Sequence, residues 1–484
     1  MKINTEKTYT WSKFVHIFKK DGVICLVHSL TMHKVYGDRI LEILYEQSFR
    51  TPTQITSAIK QLQTQYSYEV IELVIHDLVN KNLLVEDNEA DRQLYTELFL
   101  RGLNLYTIKH MYFLPTNFCN FRCKYCFIED DGRPIHPVKM TEEIAKKGID
   151  IFAKLTENSN EISMTFYGGE PLLNAEIVYF TMRYVRTLEK EGKFKQPVRM
   201  ALITNGSLVD EKTIEVIHEV GANISISIDG PEHFHNLSRI DTEGMKTFDT
   251  VTDAFNRLVD AGIRPGVSCT LNESNIDCID EITTFIIDQL KPNGMGFNIL
   301  LPRVHHSTHL KNYSYEFAAG QLIKAFTKLR ENGIYEDRMM RRIRPYISGG
   351  FHLKDCMGVG GQIVITPDGK IGPCQAFLGY DEFFPLRVED LHTRLAELDS
   401  NELYKNPLFD EWKHRFPLNM KECSDCCAIS VCGGGCPYAA YVNHGSVWEI
   451  DERVCAQAKN IFEWMIWDTF DHFSEDPEQK ELNA

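Results

Sequence analysis

Residues 119–127 read Cys-Asn-Phe-Arg-Cys-Lys-Tyr-Cys-Phe, which puts the thiols of Cys119, Cys123 and Cys126 in one short stretch. A disulfide uses two thiols, and a closed zinc site uses four ligands. Three thiolates can hold three corners of a 4Fe–4S cubane and leave the fourth iron open to a substrate or cofactor. No fourth cysteine lies close by, and His110 and His136 flank the stretch without zinc-finger spacing.

A second set of eight cysteines lies between positions 356 and 455. Cys356 is followed by Gly369-Lys-Ile-Gly-Pro-Cys374. With Cys427 set aside, Cys423, Cys426, Cys432 and Cys436 run C-x2-C-x5-C-x3-C, and Cys455 follows after a gap. A zinc ribbon would account for the C-x2-C pair, but seven cysteines divide poorly into four-ligand zinc sites. The other three, Cys25, Cys269 and Cys278, sit in apolar surroundings or at a helix start and read as inert thiols. The N-terminus lacks the apolar core of a signal peptide, which implies a cytoplasmic protein whose thiols stay reduced and serve metal or redox chemistry. No apolar run reaches membrane-spanning length, so no membrane partner is expected. The net charge of −16 likewise argues against nucleic acid. One basic run departs from that balance. Arg338, Arg341, Arg342 and Arg344 read first as a solvated helix face, with contact to an acidic substrate segment as the alternative.

The elements that must position these thiols follow from periodicity. At 484 residues the chain is too long for one ordinary core. Residues 1–90 predict two strands joined at Asp21-Gly22, then three helices. The first helix has Ile40, Leu41, Ile43 and Leu44 on one side, and the second starts with Thr51 as cap and Pro52 at the first helical position. This is a winged-helix-like module, but with ten Lys/Arg against eleven Asp/Glu it is not a nucleic-acid binder. The acidic stretch Glu86-Asp-Asn-Glu-Ala-Asp-Arg-Gln93 opens a separating linker, 91–108, that leads to residues 109–335. There six strands alternate with helices, as in a parallel sheet curved into a partial (β/α)6 TIM-like barrel. Chemistry in such sheets sits at the carboxyl ends of the strands, and the three-cysteine stretch directly follows the first one. From 345 to 470 periodicity fades while Gly and Cys become frequent, which predicts a metal-dependent, loop-rich domain. Residues 471–484 read as a frayed tail.

The motifs together resemble the radical S-adenosylmethionine (SAM) family. CxxxCxxC after the first barrel strand is its signature. Tyr167-Gly168-Gly169-Glu170-Pro171 looks like the family's glycine-rich turn, where backbone groups and Glu170 would meet the methionine amino group. Ser227 to Arg239, with Asp229, Gly230, Pro231 and His235, is similar to the segment whose Ser and Arg hold SAM. Tyr125 would lie against adenine, and Thr204-Asn205-Gly206 ends the third strand as in relatives, which brings Asn205 to the cofactor. The later cysteines resemble the SPASM domain, which carries two auxiliary clusters. By that pattern Cys423, Cys426, Cys432 and Cys455 ligate one. Cys356, Cys374 and Cys436 give three ligands to the other, whose fourth could be Cys427, Asp355, His352 or none. The N-terminal module resembles the peptide-recognition element of peptide maturases, related to the small pyrroloquinoline-quinone chaperone.

The resemblance implies SAM and three 4Fe–4S clusters as cofactors, one of them binding SAM, and a flavodoxin- or ferredoxin-type reductant. A 5′-deoxyadenosyl radical would abstract hydrogen from a ribosomally made precursor peptide whose leader binds the N-terminal module. The product would be an oxidative crosslink, a thioether or a carbon–carbon bond. Two other readings remain. One is an anaerobic sulfatase maturase, in which an Asp follows the cysteine matching Cys374; here that position is Gln375. The other is a non-catalytic iron–sulfur electron carrier or redox-sensing regulator. Gln375 and the loop histidines His305 and His306 are candidates for substrate contact or proton transfer.

Overall fold

The structure is a computed structural model that describes residues 7–128, 136–303 and 312–475. Its first part holds β1 (Thr8–Trp11), β2 (Val15–Lys20), β3 (Val23–His28), β4 (Lys34–Gly37), α1 (Arg39–Gln47), β5 (Thr53–Gln54), α2 (Ile55–Leu62), α3 (Tyr68–Asn80), β6 (Leu84–Val85) and α4 (Glu89–Asn104). The expected hairpin is β2–β3, turned by Asp21 and Gly22 at φ 50° and 83°. All three expected helices form, with one different start. Thr53 and Gln54 pair with Tyr9 and Thr8 of β1, so the chain stays extended and α2 begins after Gln54 rather than at Pro52.

β3 explains how this module is attached. Its side chains alternate between faces: Ile24 and Leu26 enter the module's own core, while Cys25 and Val27 enter the main core. The stretch read as a linker is largely α4. Its Asp91 is buried against His28 of β3 (3.2 Å), and its Phe99 packs on Phe416. The acidic stretch at 86–93, where the helix begins, hid Leu94, Leu98 and Phe99, the apolar side that seats it.

The second part alternates β7 (His110–Phe113), α5 (Glu142–Leu155), β8 (Ile162–Phe166), α6 (Ala175–Lys190), β9 (Val198–Thr204), α7 (Glu211–Val220) and β10 (Asn223–Ser227). It continues through α8 (Glu232–Ser238), α9 (Phe248–Asp260), β11 (Gly266–Leu271), α10 (Ile279–Phe285), β12 (Met295–Ile299), α11 (Tyr315–Glu331) and α12 (Asp337–Ser348). The six expected strands pair in parallel in the order β12-β11-β10-β9-β8-β7. One residue set of each strand is buried in the core, such as Met111 and Phe113 or Val267 and Cys269. The alternate set stays half-exposed on the inner side, including Ser163, Ser268, Thr270 and Asn298. A small, polar inner wall of this kind leaves room for a ligand.

The cysteine-rich region is less separate than its composition suggests. β13 (Gln362–Ile365) adds in parallel beside β7, and β14 (Lys370–Gly372) and β15 (Leu386–Arg387) follow antiparallel, giving one nine-stranded sheet. The helix Glu452–Glu475 ties the parts together and runs into the stretch expected to be frayed. It accepts the Tyr36 hydroxyl at Ile466 O (2.7 Å), meets Phe18 through Phe462, and pairs Asp468 with Arg330 of α11 (2.8 Å). Among the described residues no helix is long and apolar enough to cross a membrane.

Candidate active site

The three-cysteine loop leaves β7 at its carboxyl end and is held by the ends of three neighbouring strands. From β8 comes the Tyr167–Pro171 turn. Glu170 N donates to Phe118 O (2.8 Å), and Gly169 packs so closely on the loop that a Cβ there would lie 2.1 Å from Phe118 O. Gly168 has φ 129°, and a Cβ on it would lie 2.5 Å from Thr116 O. Both glycines are therefore required by close backbone approach. The Glu170 carboxylate is buried and turned to the protein, accepting from Thr204 Oγ1 (2.7 Å), Asn205 N (2.8 Å) and Leu172 N (3.0 Å). From β9, Asn205 Nδ2 donates to Asn120 Oδ1 (2.9 Å) and points at Cys119 Sγ (3.8 Å).

The third clamp comes from β10. Asp229, fully buried, accepts from Thr270 N (2.9 Å), from the Tyr125 hydroxyl (2.5 Å) and from Arg239 Nε (2.9 Å). Arg239 Nη1 then points at Cys123 Sγ (3.8 Å), and its guanidinium lies 5.4 Å from the Tyr125 ring. His235 takes no proton near neutrality, because burial lowers its pKa to about 4. It instead pins the segment, with Nε2 3.1 Å from Thr247 Oγ1. Ser227 ends β10 on the inner face, paired in register with Ser268. Tyr125, Asn205 and Arg239 thus stand around the cysteine loop, and Glu170 meets it through its backbone N–H while its carboxylate faces Thr204, Asn205 and Leu172. The hub that joins Tyr125 to Arg239 is Asp229. The sequence contains it in the quoted segment, but nothing there shows that its carboxylate links the two.

Burial raises the Glu170 carboxyl to about 7, against an ordinary 4.5. Below about pH 4.5 the acid is protonated in both folded and unfolded chains and contributes nothing. As pH rises toward 7 the unfolded chain ionises first, so folding stability falls, by a total on the order of 3 kcal/mol above pH 7. Glu170→Gln carries a constant penalty at Asn205 N but no such slope. Urea midpoints of the apoprotein at pH 5 and pH 8 should therefore converge in the variant relative to wild type. An unchanged pH dependence would show that Glu170 does not carry it.

The later cysteines fall into two groups in space. Cys423, Cys426, Cys432 and Cys455 line one cavity of about 180 Å³ with Gly434, Asp451 and Lys459. Cys427 hydrogen-bonds with Cys426 and lies near Lys459, on this side. Cys356, Cys374 and Cys436 lie within electrostatic reach of one another, and burial pushes the Cys356 thiol up to about 11. His352 and Asp355 are tied to each other (3.3 Å) beside Cys356. Gly433, Gly434 and Gly435 all take left-handed φ, and a Cβ at Gly433 would meet Asp355 N at 2.3 Å.

Whether iron–sulfur clusters suit these groups can be judged from Arg415. Its side chain is fully buried and donates only to carbonyls: Gly434 O (2.7 Å), Gly435 O (3.2 Å), Glu449 O (3.1 Å) and Val447 O. It is in no ion pair among the described residues, and it lies beside Cys436, Cys356 and Cys432; the one carboxylate among its described electrostatic neighbours, Asp451, is paired with Arg453. A buried cation is costly without a counter-charge. Thiolate-ligated clusters on either side would supply it, so the residues fit the group. Among the described residues no three His, Cys, Asp or Glu converge on a single-ion site. A cubane, by contrast, needs its thiolates spread around four irons.

Gln375 follows Cys374 and accepts from Gln362 Nε2 (3.4 Å). His305 and His306 lie outside the described residues. Cys25 and Cys269 are fully buried with raised pKa values, as inert thiols should be. The basic helix differs from the sequence reading, because Arg342 is 2% exposed and Arg338 and Arg341 are half-buried.

The model of the Radical SAM superfamily matches residues 113–286. Radical SAM cyclopropyl synthase TigE of Paramaledivibacter caminithermalis is 23% identical over 94% of this chain and 95% of its own. The cysteine-type anaerobic sulfatase-maturating enzyme of Clostridium perfringens is 25% identical over 72% of this chain and 93% of its own. Among solved structures, native anSMEcpe with bound AdoMet superposes with TM-score 0.61 at 21% identity, over 75% of this chain and 98% of its own. Streptococcus suis SuiB bound to S-adenosylmethionine does so with TM-score 0.54 at 14% identity, over 92% and 99%. Three cysteines at the carboxyl end of the first parallel strand, with Asn205 and Arg239 aimed at them, and the superfamily match over residues 113–286 mark that stretch as a radical SAM domain.

Proposed function

We propose that this chain is a maturase that forms an oxidative bond, a thioether or a carbon–carbon bond, in a ribosomally made precursor peptide. The observation that carries the reading is the N-terminal module built into the main core. Similarity to TigE and SuiB spans that module, covering 94% and 92% of this chain, whereas the sulfatase maturase matches 72%. SuiB has also been solved bound to precursor peptide SuiA, and closing a cyclopropyl ring, the activity in TigE's name, is itself carbon–carbon bond formation.

Bound SAM and its cluster supply a carbon radical that removes hydrogen from the substrate. The chain's own residues do the rest. Cys119, Cys123 and Cys126 would hold the SAM-binding cluster, while Asn205, Ser227, Tyr125 and Arg239 would orient SAM and Glu170 would fix Asn205 from behind. The polar inner wall would receive the peptide, and the two later cysteine sets would hold auxiliary clusters, which supply an electron acceptor or a site for a substrate thiolate. A flavodoxin- or ferredoxin-type partner delivers the starting electron, in the cytoplasm. Formylglycine formation fits less well. It needs a base for the heteroatom proton, and the neutral amide of Gln375 has none near physiological pH.

The leader would be held by β-strand addition at β2 or β4, the edges of their sheet, helped by α3. α3 exposes Val70 (45%) and Leu73 (72%) one turn apart. Co-expression with the precursor peptide should give a mass loss of two hydrogens per bond and no aldehyde in a sulfatase-motif peptide. Val70→Glu with Leu73→Glu should weaken leader binding by about tenfold or more, since burying one such side chain contributes about 1.5 kcal/mol or more. Calorimetry with a leader peptide reads that loss. An aldehyde in the sulfatase-motif peptide together with no crosslink in the precursor, read by fragmentation, would overturn the reading.

A further inference from the structure

α12 brings two guanidinium groups to the inner wall of the barrel. Arg338 directs Nε (3.1 Å) and Nη2 at a single neutral acceptor, Asn298 Oδ1 of β12. Asn298 is itself oriented by donating Nδ2 to Ser268 Oγ of β11 (3.1 Å). A guanidinium has five N–H donors. Those of Arg338 meet no other acceptor, and no carboxylate lies within ion-pair distance of it among the described residues.

The nearby carboxylates are engaged elsewhere. Asp337 pairs with Arg341 (2.7 Å), and Asp355 lies by Arg341 and Arg342. Glu336 faces the backbone, accepting from Phe297 N (2.9 Å) and Met339 N (2.7 Å). Tyr112 of β7 lies within electrostatic reach of Arg338 and Arg341, and also of Cys356 and Cys374. Its ring meets Tyr167 at 5.8 Å, and Tyr167 in turn neighbours Cys126. The half-buried guanidinium of Arg338 therefore sits along the wall that runs from the SAM-binding thiols to the auxiliary thiols.

We propose that Arg338, supported by Asn298 and Arg341, binds a carboxylate of the substrate inside the barrel and so sets which stretch of peptide meets the radical. This rests on the peptide-maturase reading and adds a substrate class to it: a peptide with a carboxylate close to the modified residue. An Arg fork suits a planar carboxylate, and shelter from water strengthens the bond. The carboxylate comes from an Asp or Glu side chain or from the peptide's C-terminus.

Saturation-transfer NMR on the reconstituted full-length protein tests the site with three small probes. N-acetylglutamate α-amide presents a side-chain carboxylate, N-acetylglutamine with a free α-carboxylate presents a terminal one, and N-acetylglutamine α-amide is neutral. At least one acid should bind about tenfold more tightly than the neutral amide, and which acid does so identifies the source. Arg338→Met should bring that ratio to within about twofold. Asn298→Asp, which keeps the shape but gives Arg338 an internal carboxylate, should do the same even if the Met variant fails to fold. Equal binding of all three probes to wild type overturns the site, as does a preference that survives both substitutions. Either result leaves the two-hydrogen mass test standing, and failure of that test with the acid preference intact overturns only the maturase reading.

Discussion

Iron falling from about twelve to about eight atoms per chain, with no 5′-deoxyadenosine formed from SAM, is the expected result of replacing Cys119, Cys123 and Cys126 by Ala. The thirds separate because the three thiol groups stand on different elements. The first occupies the loop after β7. The second lines its own cavity between the Cys423–Cys432 stretch and the first turn of the C-terminal helix. The third joins Cys356 and Cys374, which flank β13 and β14, to Cys436. Folding should survive, since the loop is clamped by Asn205, Asp241 and the Tyr167–Pro171 turn independently of its sulfurs. Iron analysis and chromatography of SAM cleavage products read the two halves separately. A triple variant that still made 5′-deoxyadenosine would remove the cluster from this loop. A wild-type protein that never made it would instead support the electron-carrier reading.

Deleting the N-terminal module is a weaker experiment than its boundaries suggest. With Cys25 and Val27 of β3 in the main core, and Tyr36 on the C-terminal helix, removing residues 1–90 would expose apolar surface of that core and that helix. Substitutions on the exposed face of α3 leave that packing intact.

The barrel was legible because its strands are short apolar runs spaced by strongly periodic helices. The cysteine motifs were legible because ligand spacing is local. What the sequence concealed was mostly long-range. Val23–Val27 reads as one apolar run, and that this run is buried on two faces shows only once the sheet is placed between two cores. β13 was readable in part, as Ile363-Val-Ile365 before the Pro-Asp-Gly turn at 367–369, but its pairing with β7 spans some 250 residues. Composition misled at α4 and α12. In both, charge suggested solvent, while spacing placed Leu98 on the core and Arg342 out of water.

Asp229→Ala should be among the most damaging single substitutions in the site. The carboxylate has no exposure, and its partner Arg239 has 7%. Its removal strands a buried guanidinium, the Tyr125 hydroxyl and the Thr270 N–H at once. Breaking a buried pair by removing one partner costs about 3–5 kcal/mol, most of it from the charge left behind. The same loss should reach SAM, because Asp229 fixes the two side chains expected to hold the cofactor and aims Arg239 at Cys123. SAM affinity should fall by about 100-fold or more, since roughly 3 kcal/mol of positioning corresponds to that factor. Asp229→Asn keeps an oxygen for Thr270 N and the shape of the side chain but loses the charge, so it should fall between wild type and Ala in both urea midpoint and SAM affinity. That order separates electrostatic pairing from packing. If Asn were as damaging as Ala, charge would account for the whole effect; if Asn behaved as wild type, shape and the Thr270 contact would. An Ala variant with wild-type stability and SAM affinity would show that Tyr125 and Arg239 are placed by something other than Asp229.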